Sequence, residues 1–444
     1  MNNKNSKTMH MKNPRCVFVL ALLMLLSVPS PAQTPLEEDI RVSNPDFVVY
    51  VPRQPRDREL WNPYLRGDSY NDHIQVLYDE GRKTYYGFWT QASRESFPDQ
   101  HIVFSRSTDG GRTWSEPVLL QGSETIANPR PIASWQQPML SRSGRLYLLW
   151  NQQISWDKIH FVALAGALFG AYSDDGGLTW SKPRSISMPR MDMDSPDPAV
   201  PAEWCNWQRP LRLGEGGRYL VGCSRHGKTP SDEKKCCRVE FWQFENIDED
   251  PEIEDIRISY FNTNGDAFDI SQVEGAVNYG IKEGPAIEEA SIVGLPDGRL
   301  FAMMRSSAGS PVWSVSPDRG RTWSRPKLLR MQDGGKPVPH PRSPCPIYDW
   351  EGPEAFSGKY FAIVHNAFNY DDVTAYQNRG PLYLLKGRYV PGAEQPIWFS
   401  EPELLNPRPK ENSYYTSYTS VDGKGILWYN DTKYYVLGKE IRYY

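Results

Sequence analysis

Apolar residues along the chain come as paired short runs separated by a Gly-containing turn, at residues 73–89, 138–150, 209–223, 289–304, 345–364 and 418–429. Runs of this length, rich in aromatic and β-branched residues, predict strands rather than helices. The pairs recur at steps of roughly 55 to 80 residues, which leaves room after each pair for outer strands. Six such units predict an all-β chain folded as a six-bladed β-propeller with four-stranded antiparallel blades. An early unpaired run, residues 47–51, is expected to close the ring against the last unit and so join the chain ends. One ring accounts for a chain of 444 residues, which exceeds the size of a single ordinary core. Residues 53–58, 188–201 and 406–412 read as connections between blades, and the acidic stretch 248–255 as a solvated loop.

Three segments repeat the pattern S-x-D-x-G-x-T-W, at residues 107–114, 173–180 and 316–323. Each follows a strand-like run and precedes Ser, a charged residue, Pro and a second apolar run, the setting of a hairpin turn. In such a turn the Asp accepts backbone N–H bonds, the Gly takes positive φ and the Trp folds back over the hairpin. These residues are therefore read as structural and remote from chemistry. The pattern resembles the Asp boxes of the sialidase superfamily, whose BNR-repeat propellers have six blades. The resemblance covers essentially the whole mature chain.

Composition narrows the setting. Aromatic residues make up 13%, with 15 Trp and 25 Tyr, and 38 Pro and 34 Gly supply turns. Only 39% of residues are hydrophobic and the mean hydropathy is -0.61, which excludes a membrane-spanning mature body. The one long apolar run, residues 17–28, follows Lys4, Lys7, Lys12 and Arg15 and precedes Pro-Ser-Pro-Ala-Gln. Residues 1–33 thus read as a secretory signal peptide cut near Ala32 or Gln33, leaving a single propeller domain over 34–444, periplasmic or secreted. Losing those four charges takes the formal charge from -4 to about -8, which argues against a nucleic-acid or anionic-lipid partner. Cys16 leaves with the signal. Cys205, Cys223, Cys236, Cys237 and Cys345 remain, an odd number that implies at most two disulfides and at least one free thiol. Their spacing shows no zinc pattern.

In a propeller the first strands of the blades line the central channel, so residues at those strand starts converge from far apart in sequence. The segment from Glu288-Glu289 through a Pro-Asp-Gly turn to Arg305 resembles the sialidase segment that holds a catalytic Glu and a substrate-binding Arg sixteen residues later. Strand geometry alone agrees, because a hairpin with its turn midway returns position 305 to position 289. The stretch from Tyr414-Tyr415 to Trp428-Tyr429-Asn430 resembles the segment of the nucleophilic Tyr, whose tail in the family is usually Leu-Tyr-Glu. A Tyr serves as nucleophile where an adjacent carboxylate takes its proton. Counting back from Asp422-Gly423 favours Tyr414, whereas the Tyr-Thr-Ser run favours Tyr415. The third family arginine corresponds to Arg379, with Arg342 as competitor or nearby substrate contact.

The departure lies in the first unit. Sialidases carry Arg-Ile-Pro there, and that Arg joins two others around the substrate carboxylate; this chain has Asp72-His73-Ile74-Gln75. Histidine cannot reproduce the planar guanidinium fork. The acid for the leaving group is expected from Glu95 or Asp99 shortly before the first repeat, and Asp72 and His73 are themselves suited to acid/base work. Gln137 and Arg209, at the starts of the second and third units, suit sugar hydroxyls. His226 and His365 have no partner evident in the sequence.

The resemblance implies an exo-acting glycoside hydrolase that cleaves a terminal, acidic sugar from a glycan with a Tyr/Glu pair and needs no cofactor or metal. Two other classes stand beside it: a propeller polysaccharide lyase acting on uronates through His73 or His101 and a Tyr, and a carbohydrate-binding propeller without catalysis.

Overall fold

The computed structural model describes residues 39–127, 131–154, 164–214, 216–228, 235–277, 284–365, 379–409 and 415–443. The signal-peptide expectation for residues 1–33 and the candidate Tyr414 lie outside them. The chain forms six antiparallel sheets in a ring, and each expected pair of runs is the inner half of one blade. Blade 1 is built from Tyr70–Asp79, Thr84–Ala92, His101–Ser107 and Val118–Gly122, and blade 2 from Ala133–Leu140, Leu146–Gln152, Ala167–Ser173 and Arg184–Ile186. In blade 3 the inner strand is split into Glu203–Cys205 and Leu211–Arg212, both paired with Tyr219–Lys228, followed by Lys235–Phe244 and Ile258–Phe261. Blade 4 comprises Ile287–Gly294, Leu300–Ser306, Val312–Ser316 and Lys327–Leu328. Blade 5 comprises Ile347–Asp349, Lys359–His365, Leu382–Tyr389 and an outer edge split between Ile397–Phe399 and Glu403–Asn406.

Blade 6 takes Thr416–Val421, Lys424–Asp431 and Tyr435–Ile441 from the end of the chain and Phe47–Tyr50 from its beginning. The early strand pairs antiparallel with the last one, Phe47 facing Gly438, so the ring is closed by strand pairing as the unpaired run predicted. That register removes two open sheet edges at once.

The core is a set of apolar layers between neighbouring blades. Leu77, Phe88 and Phe104 of blade 1 meet Leu146, Leu148 and Trp150 of blade 2, for example, and Ile74 and Trp89 of blade 1 meet Ile426 and Trp428 of blade 6. The S-x-D-x-G-x-T-W turns join the third and fourth strands of blades 1, 2 and 4 and contribute to these layers. In the first, Asp109 accepts from Thr113 N at 2.9 Å and Thr113 Oγ1 at 2.6 Å, and Trp114 Nε1 donates to Gly111 O at 3.1 Å. The Trp then packs on the preceding blade: Trp114 on Trp428, Trp180 on Phe104, and Trp323 stacked on Phe241 with ring centroids 4.1 Å apart. A Cβ on the fixed Gly of the pattern would stand 2.6 Å from Trp428 at Gly111, 2.3 Å from Phe104 at Gly177 and 2.5 Å from Leu220 at Gly320. Positive φ and this close approach both demand glycine.

Inner strands are the edges of their sheets, and side chains of the next blade satisfy their free backbone groups. Ser417 Oγ accepts from Val76 N at 3.0 Å, Asn430 Oδ1 from Ile74 N at 3.0 Å, and Ser224 Oγ from Glu289 N at 2.7 Å. These ties hold the channel wall in register. Among the described residues all five cysteines are buried and form no disulfide, within the bound of at most two.

Candidate active site

Three inner strands carry the same irregularity at one end of the channel. The pairing register skips between Asp72 and Gln75 in blade 1, Ser134 and Gln137 in blade 2, and Glu288 and Ser291 in blade 4. Within each skip one non-glycine residue has positive φ: His73 at 56°, Trp135 at 59° and Glu289 at 55°. A bulge of this kind re-aims a side chain, and each left-handed L-residue costs about 1–2 kcal/mol, which the surrounding wall must hold in place. Tertiary packing shows the result: the His73 ring lies 4.7 Å from Trp135 and 4.3 Å from Tyr415, and Trp207 of blade 3 lies 5.4 Å from Tyr415.

Tyr415 stands immediately before the inner strand of blade 6 and donates its hydroxyl to Glu289 Oε1 at 2.7 Å. Arg305 is opposite Glu288 across the blade 4 hairpin, and its Nη1 donates to both Glu289 oxygens at 3.0 Å and approaches the Tyr415 hydroxyl at 3.4 Å. Glu288, the residue beside Glu289, takes Arg305 Nε at 3.0 Å and Arg342 Nε at 2.7 Å. All of these groups are buried. Burial would raise the Glu288 carboxyl, but Arg305 and Arg342 hold it well below the usual carboxylate range. Burial, reinforced by the Glu289 charge, pushes the Tyr415 phenol well above its ordinary value, so the resting residue is a neutral donor.

On the blade 1 side, Lys433 Nζ bridges Asp72 at 2.8 Å and Glu95 at 3.0 Å and lies 5.4 Å from the centre of the Tyr415 ring. Partial desolvation would raise Glu95, whose side chain is 43% exposed; the Lys433 ammonium outweighs it and brings the carboxyl below its ordinary value. His73 is pulled down by burial and stays neutral near pH 7. Arg379 belongs to the same field, its charge acting on Tyr415, Glu95 and Lys433. A cation from the hairpin that ends blade 6 therefore stands beside Asp72 and His73.

Glu289, Tyr415, Arg305, Arg342, Arg379, His73, Asp72 and Glu95 thus share one neighbourhood. The other candidates are placed differently. Asp99 is fully buried and spends one oxygen on Ser93 N at 3.0 Å and Ser93 Oγ at 2.5 Å, which pins the loop after blade 1's second strand. Gln137 Nε2 donates to the carbonyls of Gln136 and Asn206, both at 3.1 Å, tying blades 2 and 3. Arg209 Nη1 donates to Val76 O at 2.7 Å and lines a small cavity with Gln208, Tyr348, Asp349 and Ser417; Glu289, Arg305 and Tyr415 are not in that lining.

Sequence reasoning missed Lys433, Trp135 and the bridging role of Glu288. No signal in the sequence marks Lys433, since a Lys in an Asp-Thr-Lys hairpin turn is ordinary and only ring closure carries it to Asp72. The bulges were equally silent, because no glycine marks them.

Six blades closed by the first strand, with acid, arginine and tyrosine side chains gathered at one end of the channel, define a propeller of the sialidase type. The chain belongs to the BNR repeat-like family, whose model matches residues 83–427. A sialidase of Clostridium perfringens is 28% identical over 135 residues, a match that spans 28% of this chain and 33% of the relative. Among solved structures, an intramolecular trans-sialidase from Ruminococcus gnavus superimposes with a TM-score of 0.55 at 14% identity, covering 86% of this chain and 97% of that one. A variant of the NanB sialidase of Streptococcus pneumoniae gives 0.56 at 12% identity over 89% and 69% of the two chains. A Dyadobacter fermentans protein of unknown function gives 0.55 at 16% identity over 90% and 98%. At these identities the structural likeness speaks to the fold. Among the described residues no helix is long and apolar enough to cross a membrane.

Proposed function

We propose that this protein is an exported, exo-acting glycoside hydrolase of the sialidase type that releases a terminal acidic sugar from glycans. The observation that carries the reading is the 2.7 Å hydrogen bond from the Tyr415 hydroxyl to Glu289, clamped by Arg305. In the first step the Tyr415 oxygen attacks the anomeric carbon while its proton passes to Glu289 and the glycosidic bond breaks. The leaving oxygen takes a proton from Glu95, the candidate acid at the mouth whose side chain is 43% exposed. Water, giving a proton to the Glu95 carboxylate, then displaces Tyr415 from the sugar while Glu289 returns the phenol proton, and two displacements give net retention. Arg305, Arg342 and Arg379 favour an anionic substituent, and Lys433 adds a charge where the first family arginine is absent. When a substrate carboxylate draws Lys433 away from Glu95, the acid loses the cation that keeps it ionised, so anion binding and protonation are coupled.

The test is sugar release from sialyl, keto-deoxy-acid, uronyl and neutral glycosides by wild type, Glu289→Gln and Tyr415→Phe. Release of an acidic sugar with retention, lost in both variants, is expected; full activity in Glu289→Gln would end the proposal. One observation favours a second reading. The neutral His73 ring packed 4.3 Å from Tyr415 is the His/Tyr pair a uronate lyase would use for proton abstraction and return. That reading requires an unsaturated, ultraviolet-absorbing product from uronate polymers.

A further inference from the structure

Behind the arginines, blade 3 and blade 4 bring together a set of side chains that the glycosidase reading does not use. His226 and Cys237 face each other across the central hairpin of blade 3, and Cys205 comes from the adjoining inner strand. The His226 Nε2 atom lies 3.6 Å from Cys237 Sγ and 3.8 Å from Cys205 Sγ. The Glu288 carboxylate joins them, with one ligand atom each from His226, Cys237 and Glu288 lying within 4.8 Å of one another. A backbone bridge between Cys237 and Ala286 fixes the two blades at this point.

Those separations suit a metal. Tetrahedral zinc with nitrogen at about 2.0 Å and sulfur at about 2.3 Å places its nitrogen and sulfur ligands about 3.5 Å apart. Arg305 Nε and Arg342 Nε both pair with Glu288 Oε1, on the side of the arginines. The ring brings these ligands together from separate strands, which explains why no zinc spacing is visible in the sequence.

We propose that His226, Cys237 and Glu288 form a three-residue zinc site in the wall between blades 3 and 4, with Cys205 Sγ beside it, 3.8 Å from the His226 nitrogen. Occupancy draws Glu288 toward the metal and loosens its hold on Arg305 and Arg342. This consequence for substrate binding rests on the glycosidase reading, whereas metal binding itself does not.

The test uses the full mature chain, reduced and stripped of metal. Equilibrium dialysis against zinc should retain one ion per chain. Cobalt in its place should show the sulfur-to-cobalt charge-transfer band that reports thiolate ligation, and Cys237→Ser and His226→Gln should each weaken binding by at least about 100-fold. The proposal is overturned if wild type retains no zinc and shows no charge-transfer band. Zinc retained with equal affinity in both variants overturns it as well. Where a variant fails to fold, the wild-type cobalt spectrum decides. Loss of glycoside cleavage with zinc binding intact would count against the glycosidase reading alone.

Discussion

Glu288 and Glu289 are neighbours in sequence, share Arg305 and are both buried, yet they should respond oppositely to the same isosteric change. Glu288→Gln removes the one carboxylate that contacts both Arg305, at 3.0 Å, and Arg342, at 2.7 Å. At an effective dielectric constant near 20 each such contact carries about 4 kcal/mol of attraction, and the two guanidiniums are left with repulsion that Glu288 now offsets. Breaking a buried charge set by removing one partner costs about 3–5 kcal/mol, which sets the expected loss. Glu289→Gln leaves Arg305 still paired with Glu288 and keeps an oxygen to accept from Tyr415, so its cost is that of weakened hydrogen bonds, about 1–2 kcal/mol. Turnover should reverse the order. Glu289→Gln loses the proton acceptor for Tyr415 and should drop kcat by about 10² to 10⁴. Equilibrium urea unfolding followed by tryptophan fluorescence, set beside kcat on the best glycoside, separates the two. The reasoning fails if Glu289→Gln is destabilised as much as Glu288→Gln, or if Glu288→Gln unfolds within 1 kcal/mol of wild type.

Lys433→Met should move the alkaline limb of the kcat/KM pH profile upward, because in the free enzyme Glu95 is held below its ordinary value by Lys433 against the opposing effect of desolvation, and the acid must be protonated to work; an unmoved limb would show that Glu95 is not that acid. Gly320→Ala should cost about 2–5 kcal/mol, combining positive φ with a Cβ 2.5 Å from Leu220, whereas Gly298→Ala, at φ 87° with nothing within 4 Å, should cost only the backbone share of about 1–2 kcal/mol. Equal losses in the two would remove the packing argument. Stability should fall as pH drops from about 6.5 to about 4, since burial lowers His101 and His340 to about 4 and the unfolded chain then binds more protons than the folded one. His101→Gln should flatten that slope in urea midpoints measured across the window, and an unchanged slope would refute the assignment.

The fold was legible because its determinants are local and repeated. Alternating apolar runs, Gly-containing turns and three copies of one eight-residue turn each specify a hairpin from its own residues, and six hairpins of similar length leave a ring as the way to cover both faces of every sheet. The pairing of Phe47–Tyr50 with Tyr435–Ile441 was readable for the same reason, as a strand without a partner. Part of the site was legible too, since Glu289 and Arg305 meet within one hairpin.

What lies between blades was decided only in three dimensions. Tyr415 meets Glu289 from 126 positions away. Lys433 reaches Asp72 and Glu95 because the last hairpin of the chain lands on the first blade. His73, Trp135 and Glu289 turn toward one another through bulges that cost backbone energy at ordinary residues, so no propensity announces them. Local sequence therefore determined the strands, the turns and their number, because each hairpin's hydrogen bonds and burial are set by residues close in the chain. The charges and rings that face each other at the channel mouth, and the thiols in the wall behind them, depend on how the blades pack around a common axis, and that packing belongs to the closed ring as a whole.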